Sequence, residues 1–151
     1  MKIMIMSTRL YFLICMLFFA FTGCEKEPKY DIYENHNISA CGIDDPLQNI
    51  EWLKEYYKNL RESQDISSIN INLYKVIGTD EDIFQIYFTF PIENDPVQGT
   101  TGFEKQWRDC TGKIIFRVLY PGTPMLPESQ EKLNEFFKNI KYITEMFHFI
   151  K

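Results

Sequence analysis

From residue 45 onward the apolar positions recur with two different periods. Leu47, Ile50, Leu53, Tyr57 and Leu60 stand three and four apart, while Glu51, Lys54, Glu55 and Lys58 fall on the opposite side. That spacing predicts an amphipathic helix. Asp45 is suited to cap it, and Pro46 fits a first turn that needs no amide donor. The helix should end near Arg61–Gln64, where Asp65-Ile66-Ser67-Ser68 breaks the pattern. The period then changes to two. Ile69, Ile71 and Leu73 alternate with Asn70 and Asn72 in a strand that runs toward Ile77. Gly78–Asp82 reads as a turn. Phe84, Ile86, Phe88 and Phe90 alternate with Gln85, Tyr87 and Thr89 until Pro91 stops them. Pro91–Thr101 is a long polar loop. Phe103–Asp109 and Lys113–Tyr120 are two further strands around a tight Cys110-Thr111-Gly112 turn. Pro127-Glu128-Ser129 then opens a second helix, with an acid early where the helix dipole favours it. Leu133, Phe136, Phe137, Ile140, Ile143, Phe147 and Ile150 keep one helical face to the end of the chain.

The predicted order is helix, four strands, helix. This is an α+β two-layer sandwich: a four-stranded, mostly antiparallel sheet flanked by an N-terminal and a long C-terminal helix. The stripe on the last helix reads as core. A partner-binding or membrane-surface role for it would need a more basic face than Lys132, Lys138 and Lys141 supply. The single domain occupies residues 41–151. Residues 24–40 lack sustained periodicity and read as a flexible tether, extended by Pro28 and several charges.

Ahead of the tether the pattern is different. Residues 1–9 carry Lys2 and Arg9 and no acid, and Leu10–Phe21 is an unbroken apolar run of twelve. That length suits a signal-peptide core and falls short of the roughly 18 residues of a spanning helix. The run ends in Phe21-Thr22-Gly23-Cys24 and passes at once into Glu25-Lys26-Glu27-Pro28-Lys29. Small residues before a cysteine at the end of such a core resemble the lipobox of bacterial lipoproteins. The resemblance implies removal of residues 1–23 and a diacylglyceryl thioether on Cys24, with fatty acyl chains such as palmitate. Each buried methylene contributes about 0.8 kcal/mol, so two or three chains hold a protein to a membrane stably. Glu25 and Glu27 resemble, in part, the acidic surface-export signals of Bacteroidota lipoproteins.

Charge and composition narrow the classes. The chain has 151 residues and a net charge of −5; without residues 1–23 it has 128 residues and −7. That length suits one domain with a proper core. A hydrophobic share of 45% excludes a disordered chain. The acidic balance argues against nucleic acid as a partner, since that would need a basic patch. With residues 1–23 gone and Cys24 lipidated, Cys41 and Cys110 remain. In an oxidising compartment the economical reading is a disulfide, with two buried thiols or a nucleophile as alternatives. A cysteine nucleophile wants a base in reach, and the histidines are His36 in the tether and His148 near the C-terminus.

No motif for chemistry emerges, and the reading assigns no catalytic residue, no cofactor and no metal. HExxH, CxxC, GxSxG and the phosphate loop do not occur. Asp80-Glu81-Asp82 and Glu93-Asn94-Asp95 are acidic turns that read as solvated. Asp44, Asp45 and Glu51 offer carboxylates near one helix start. The aromatic residues are more informative: Tyr56, Tyr57, Tyr74, Tyr87, Trp107 and Tyr120 exceed what a small core needs. Tyr87 sits on the polar phase of its strand and Trp107 can share that outer face, so these two are the candidate partner-contacting residues.

Cys41-Gly42, followed by Asp45-Pro46-Leu47-Gln48-Asn49-Ile50-Glu51-Trp52-Leu53-Lys54-Glu55 and by Cys110-Thr111-Gly112, resembles a group of small Bacteroidota lipoproteins of unknown function. The likeness covers roughly residues 41–118. Members often carry another cysteine after the hairpin, where Phe116 and its neighbours stand here, and the C-terminal helix is not part of the pattern. The resemblance implies an envelope address and supplies no activity. The expectation is therefore a lipid-anchored envelope protein on the periplasmic or cell-surface side. It would act as a non-enzymatic binding or inhibitor-like module with a protein partner. The alternatives are a structural accessory lipoprotein that joins an assembly through its C-terminal helix, and a small carboxylate-dependent hydrolase.

Overall fold

The computed structural model describes residues 30–92, 101–121 and 127–151. Residues 1–23, the expected lipidation site Cys24 and the expected turn at Glu93-Asn94-Asp95 lie outside the described residues.

The fold is mostly β. In chain order the elements are β1 (Asp31–Glu34), β2 (Ser39–Ala40), β3 (Ile43–Asp44), α1 (Pro46–Asn49), α2 (Glu51–Glu62), β4 (Ser68–Val76), β5 (Asp82–Pro91), β6 (Thr101–Arg108), β7 (Ile114–Tyr120), α3 (Pro127–Lys138) and β8 (Ile140–Ile150). Six strands form one antiparallel sheet in the order β1-β8-β4-β5-β6-β7, and β2 and β3 form a separate hairpin. The sheet therefore has two strands more than the four expected, and the expected four-stranded α+β sandwich with a long C-terminal helix is incorrect. Both additions come from the chain ends. The C-terminal helix stops at Lys138, and Ile140–Ile150 becomes the strand between β1 and β4. Asp31–Glu34, expected in the tether, is the edge strand paired with it.

The physical reason lies in residues 140–150. Ile140, Ile143, Phe147 and Ile150 satisfy a helical spacing, but the stretch is rich in β-branched and aromatic residues and Phe147, His148 and Phe149 alternate. As a strand it buries Met146, Phe147 and Phe149 to 3% exposure or less and satisfies the backbone of β4 on its second side. Two register shifts against β4 place Glu145 beside Asn72 and Tyr142 beside Tyr74.

The first helix also differs. Ile50 is extended and divides it into α1 and α2. Asp45 precedes α1 in a left-handed conformation, and its side chain makes no capping bond. Its carboxylate accepts from His36 Nδ1 instead, at 2.9 Å. The apolar face stands as predicted: Leu47, Ile50, Leu53 and Tyr57 are buried. They pack on the inner face of the sheet against Ile69, Ile71, Leu73, Phe84, Ile86, Phe88, Phe147 and Phe149.

Cys41 and Cys110 are joined by a disulfide, with Cα atoms 5.7 Å apart. It ties the β2–β3 turn to the β6–β7 turn. The first of these turns has both central residues, Cys41 and Gly42, at positive φ, the geometry that a two-residue hairpin prefers. In the second, Gly112 is at φ 85° and a Cβ there would stand 2.7 Å from the Trp52 ring. Trp52 Nε1 donates to the Cys110 carbonyl at 2.9 Å, so helix α2 holds this turn directly.

Candidate functional site

The strand alternation that fills the inner face sends the other side chains outward. Strand register sets Tyr33, His148, Asn70, Tyr87, Lys105 and Val118 in one row across all six strands. Next to it lie Glu145, Asn72, Gln85, Trp107 and Phe116. Helix α3 covers only the β6–β7 side of this outer face. Phe136 and Phe137 put their rings 6.0 and 5.2 Å from Trp107, and Phe136 stacks on Phe116 at 5.9 Å.

This cover decides the fate of the two candidate residues. Trp107 is 1% exposed and belongs to the packing under α3, so it does not lie on the uncovered part of the face. Its indole N–H has no partner among the described residues. Strand phase alone could not reveal this, because the covering residues stand some thirty positions later in the chain. Tyr87 lies on the outer face and is half-buried. Its ring is 5.8 Å from Phe103, and Lys105 Nζ sits 5.3 Å from its centroid. Phe103 stacks on the exposed Tyr120 at 5.6 Å, so Tyr87, Phe103 and Tyr120 form one aromatic strip.

Beyond Tyr87 the uncovered face is polar and its side chains are linked. His148 Nε2 lies 3.7 Å from Asp31 and its Nδ1 lies 3.2 Å from Glu145 Oε1. Asn70 Nδ2 donates to the same Glu145 oxygen. Asn72 Nδ2 donates to Asn70 Oδ1 at 2.5 Å and to Gln85 Oε1 at 3.1 Å. Tyr33 stacks on the His148 ring at 5.5 Å, and Tyr74 meets Tyr142 edge-on at the same distance. Burial raises the Tyr74 hydroxyl above its ordinary pKa. Asparagine is disfavoured in strands, yet it fills two successive outward positions of β4, a central strand. A local rule broken in the middle of a sheet is expected at functional or strained sites. Sequence reasoning treated Asn70 and Asn72 only as the polar phase of the strand, and gave His148 and Glu145 no role. Their linkage depends on β8 being a strand.

A second polar cluster lies on the inner face beside α2. Arg117 clamps the nearly buried Glu104 through two bonds of 2.5 and 2.9 Å. Gln106 donates to Glu104, Arg108 Nε donates to Gln106 at 2.7 Å, and the Arg108 guanidinium lies 4.3 Å from the Tyr56 ring centroid. Every member has a partner, and the cluster joins β6, β7 and α2. The acids near the first helix are engaged as well: Asp44 accepts from Ser39 Oγ, and Asp45 faces His36. Glu34 also reaches His36, at 3.1 Å. Cys41 and Cys110, being bonded to each other, offer no thiol. Among the described residues no group of three or more His, Cys, Asp or Glu side chains is placed to hold a metal ion, and no helix is long and apolar enough to cross a membrane.

Comparison with protein-family models, curated proteins and solved structures finds no match.

Proposed function

We propose that the protein is a non-enzymatic binding module held to a bacterial envelope membrane by lipid on Cys24, with the uncovered outer face of the sheet as its contact surface. The single observation that carries the contact surface is the linked polar run from Asp31 through His148, Glu145, Asn70 and Asn72 to Gln85. It crosses β1, β8, β4 and β5 and is flanked by the Tyr87 strip on one side and Tyr33 on the other. Side chains that could form a core under a second helix are instead polar and point outward. The address is supported by the charged start, apolar run and Thr22-Gly23-Cys24 order, and by the resemblance to small Bacteroidota lipoproteins. The accessory-lipoprotein alternative needed a C-terminal helix free to join an assembly. The helix ends at Lys138 with Phe136 and Phe137 against Trp107, which removes that support.

Intact-mass analysis and membrane fractionation test the address. The mature chain should begin at acylated Cys24, and Cys24→Ser should move it to the soluble fraction. An unmodified N-terminus in membranes would sink the anchor. Chemical cross-linking on intact cells tests the face: adducts of the wild type should disappear in Tyr87→Ala and persist in Lys58→Ala, on the solvent side of α2. Adducts unchanged in Tyr87→Ala would place the contact elsewhere.

A further inference from the structure

We infer that the uncovered outer face binds a neutral glycan chain. This rests on the reading of that face as a contact surface and names the chemistry of its ligand. The hydrogen-bonding groups in the middle are the half-buried carboxamides of Asn70 and Asn72, backed by the buried Gln85, with an imidazole beside them. A carboxamide presents donors and acceptors together, which is what a sugar hydroxyl, itself donor and acceptor, requires. Asn72 donates through its amino group to Asn70 and to Gln85. The flanks are aromatic. Tyr33 and Tyr87 stand three strand steps apart, about 14 Å at the usual inter-strand spacing, the length of a short oligosaccharide. Tyr33, stacked on His148 and 40% exposed, offers ring surface to the C–H side of a sugar, and its hydroxyl adds a hydrogen bond at the rim.

Charge selects among ligands. Asp31 and Glu145 are set about His148, and Lys105 lies over the Tyr87 ring. The face thus carries both signs, two carboxylates and one ammonium, and presents no block of like charge to a polyanion or a polycation. A peptide in extended form gains most of its affinity from main-chain bonds at a free sheet edge. Here β8, β4 and β5 are each paired on both sides, so this face offers side chains only.

Affinity electrophoresis of the full chain in detergent tests the inference, with β-glucan, arabinoxylan, α-mannan or glycogen cast into separate gels. The wild type should be retarded in at least one gel relative to a gel without polysaccharide. His148→Ala and Tyr33→Ala, both at partly exposed positions, should each weaken that retardation about tenfold. Tyr33→Phe should restore most of it, and Lys58→Ala should leave it unchanged. Thermal melts of the variants separate lost binding from lost folding. No retardation in any of the four gels overturns the inference, as does retardation that His148→Ala and Tyr33→Ala leave intact. If retardation is absent while a protein adduct is still lost in Tyr87→Ala, the ligand is a protein: the glycan falls and the binding module stands. Absence of both overturns both.

Discussion

Trp107 and Tyr87 occupy the same face of the sheet, and burial gives them different jobs. Trp107 is wedged against Phe136, Phe137 and Phe116, so Trp107→Ala should cost about 3–5 kcal/mol by urea denaturation. Trp107→Phe should recover most of that loss, since it keeps a ring and discards an indole N–H that has no partner among the described residues. Tyr87→Ala should leave the fold in place and act on binding. At the edge of the domain, His36 gives a pH signature. The hydrogen bond to Asp45, opposed by desolvation and aided by the charge of Asp45 and by Glu34, raises its pKa above the ordinary 6.5. The folded state thus favours the imidazolium. Its contribution is fully present below about pH 6.5 and is lost as the pH rises through the raised folded value. The melting temperature of the wild type should therefore fall over that window, and the fall should be smaller in His36→Gln. An equal fall in both would show that the pair does not couple to stability.

At the scale of elements, what the sequence disclosed depended on whether a segment's periodicity was unambiguous. The alternation of Ile69, Ile71 and Leu73 and of Phe84, Ile86 and Phe88 placed β4 and β5 to within about two residues, and the face of Leu47, Ile50, Leu53 and Tyr57 was legible too. Residues 140–150 satisfied two periods at once, and only the unpaired side of β4, a tertiary fact, chooses between them. The site shared this fate: Tyr87 was readable from its strand, whereas His148 and Glu145 joined it only through β8. The two readings of the segment predict opposite mutational patterns. On a helix ending at Ile150 the apolar stripe includes Ile143 and omits Met146. In the sheet Met146 is fully buried and Ile143 is 40% exposed. Met146→Ala should cost about 2–5 kcal/mol and Ile143→Ala less than about 1 kcal/mol, measured by urea unfolding. The reverse order would restore the helix.

For the molecule as a whole, the disulfide adds a covalent link between the β2–β3 hairpin and the β6–β7 end of the sheet. The inner core holds α1 and α2 on β8, β4 and β5, while β6 and β7 carry polar residues on that side: Glu104, Gln106, Arg108 and Arg117. Besides its ladder with β5, the β6–β7 end is fastened to the rest by the Cys41–Cys110 bond, the Trp52 indole on the Cys110 carbonyl, and the Arg108 guanidinium over the Tyr56 ring. Asp82 lies at the same junction. Its Oδ2 accepts from Cys41 N–H at 2.6 Å, and Lys75 Nζ approaches Oδ1 at 3.2 Å without the alignment of a hydrogen bond. The sequence separation across the bridge is 69 residues, a loop for which the chain-entropy argument gives about 4 kcal/mol. A domain of this size has only about 5–15 kcal/mol in total, so the bridge is a large share of its stability. Cys41→Ser with Cys110→Ser should lower the unfolding free energy by about 4 kcal/mol, and reductant should bring the wild type to the same value. The loss should start at the β6–β7 end, because the core under α2 does not reach it. Amide exchange should therefore accelerate first in Thr101–Arg108 and Ile114–Tyr120, ahead of Ile69–Leu73. Uniform acceleration would mean that the two ends fold as one unit and that the bridge acts only through the unfolded chain.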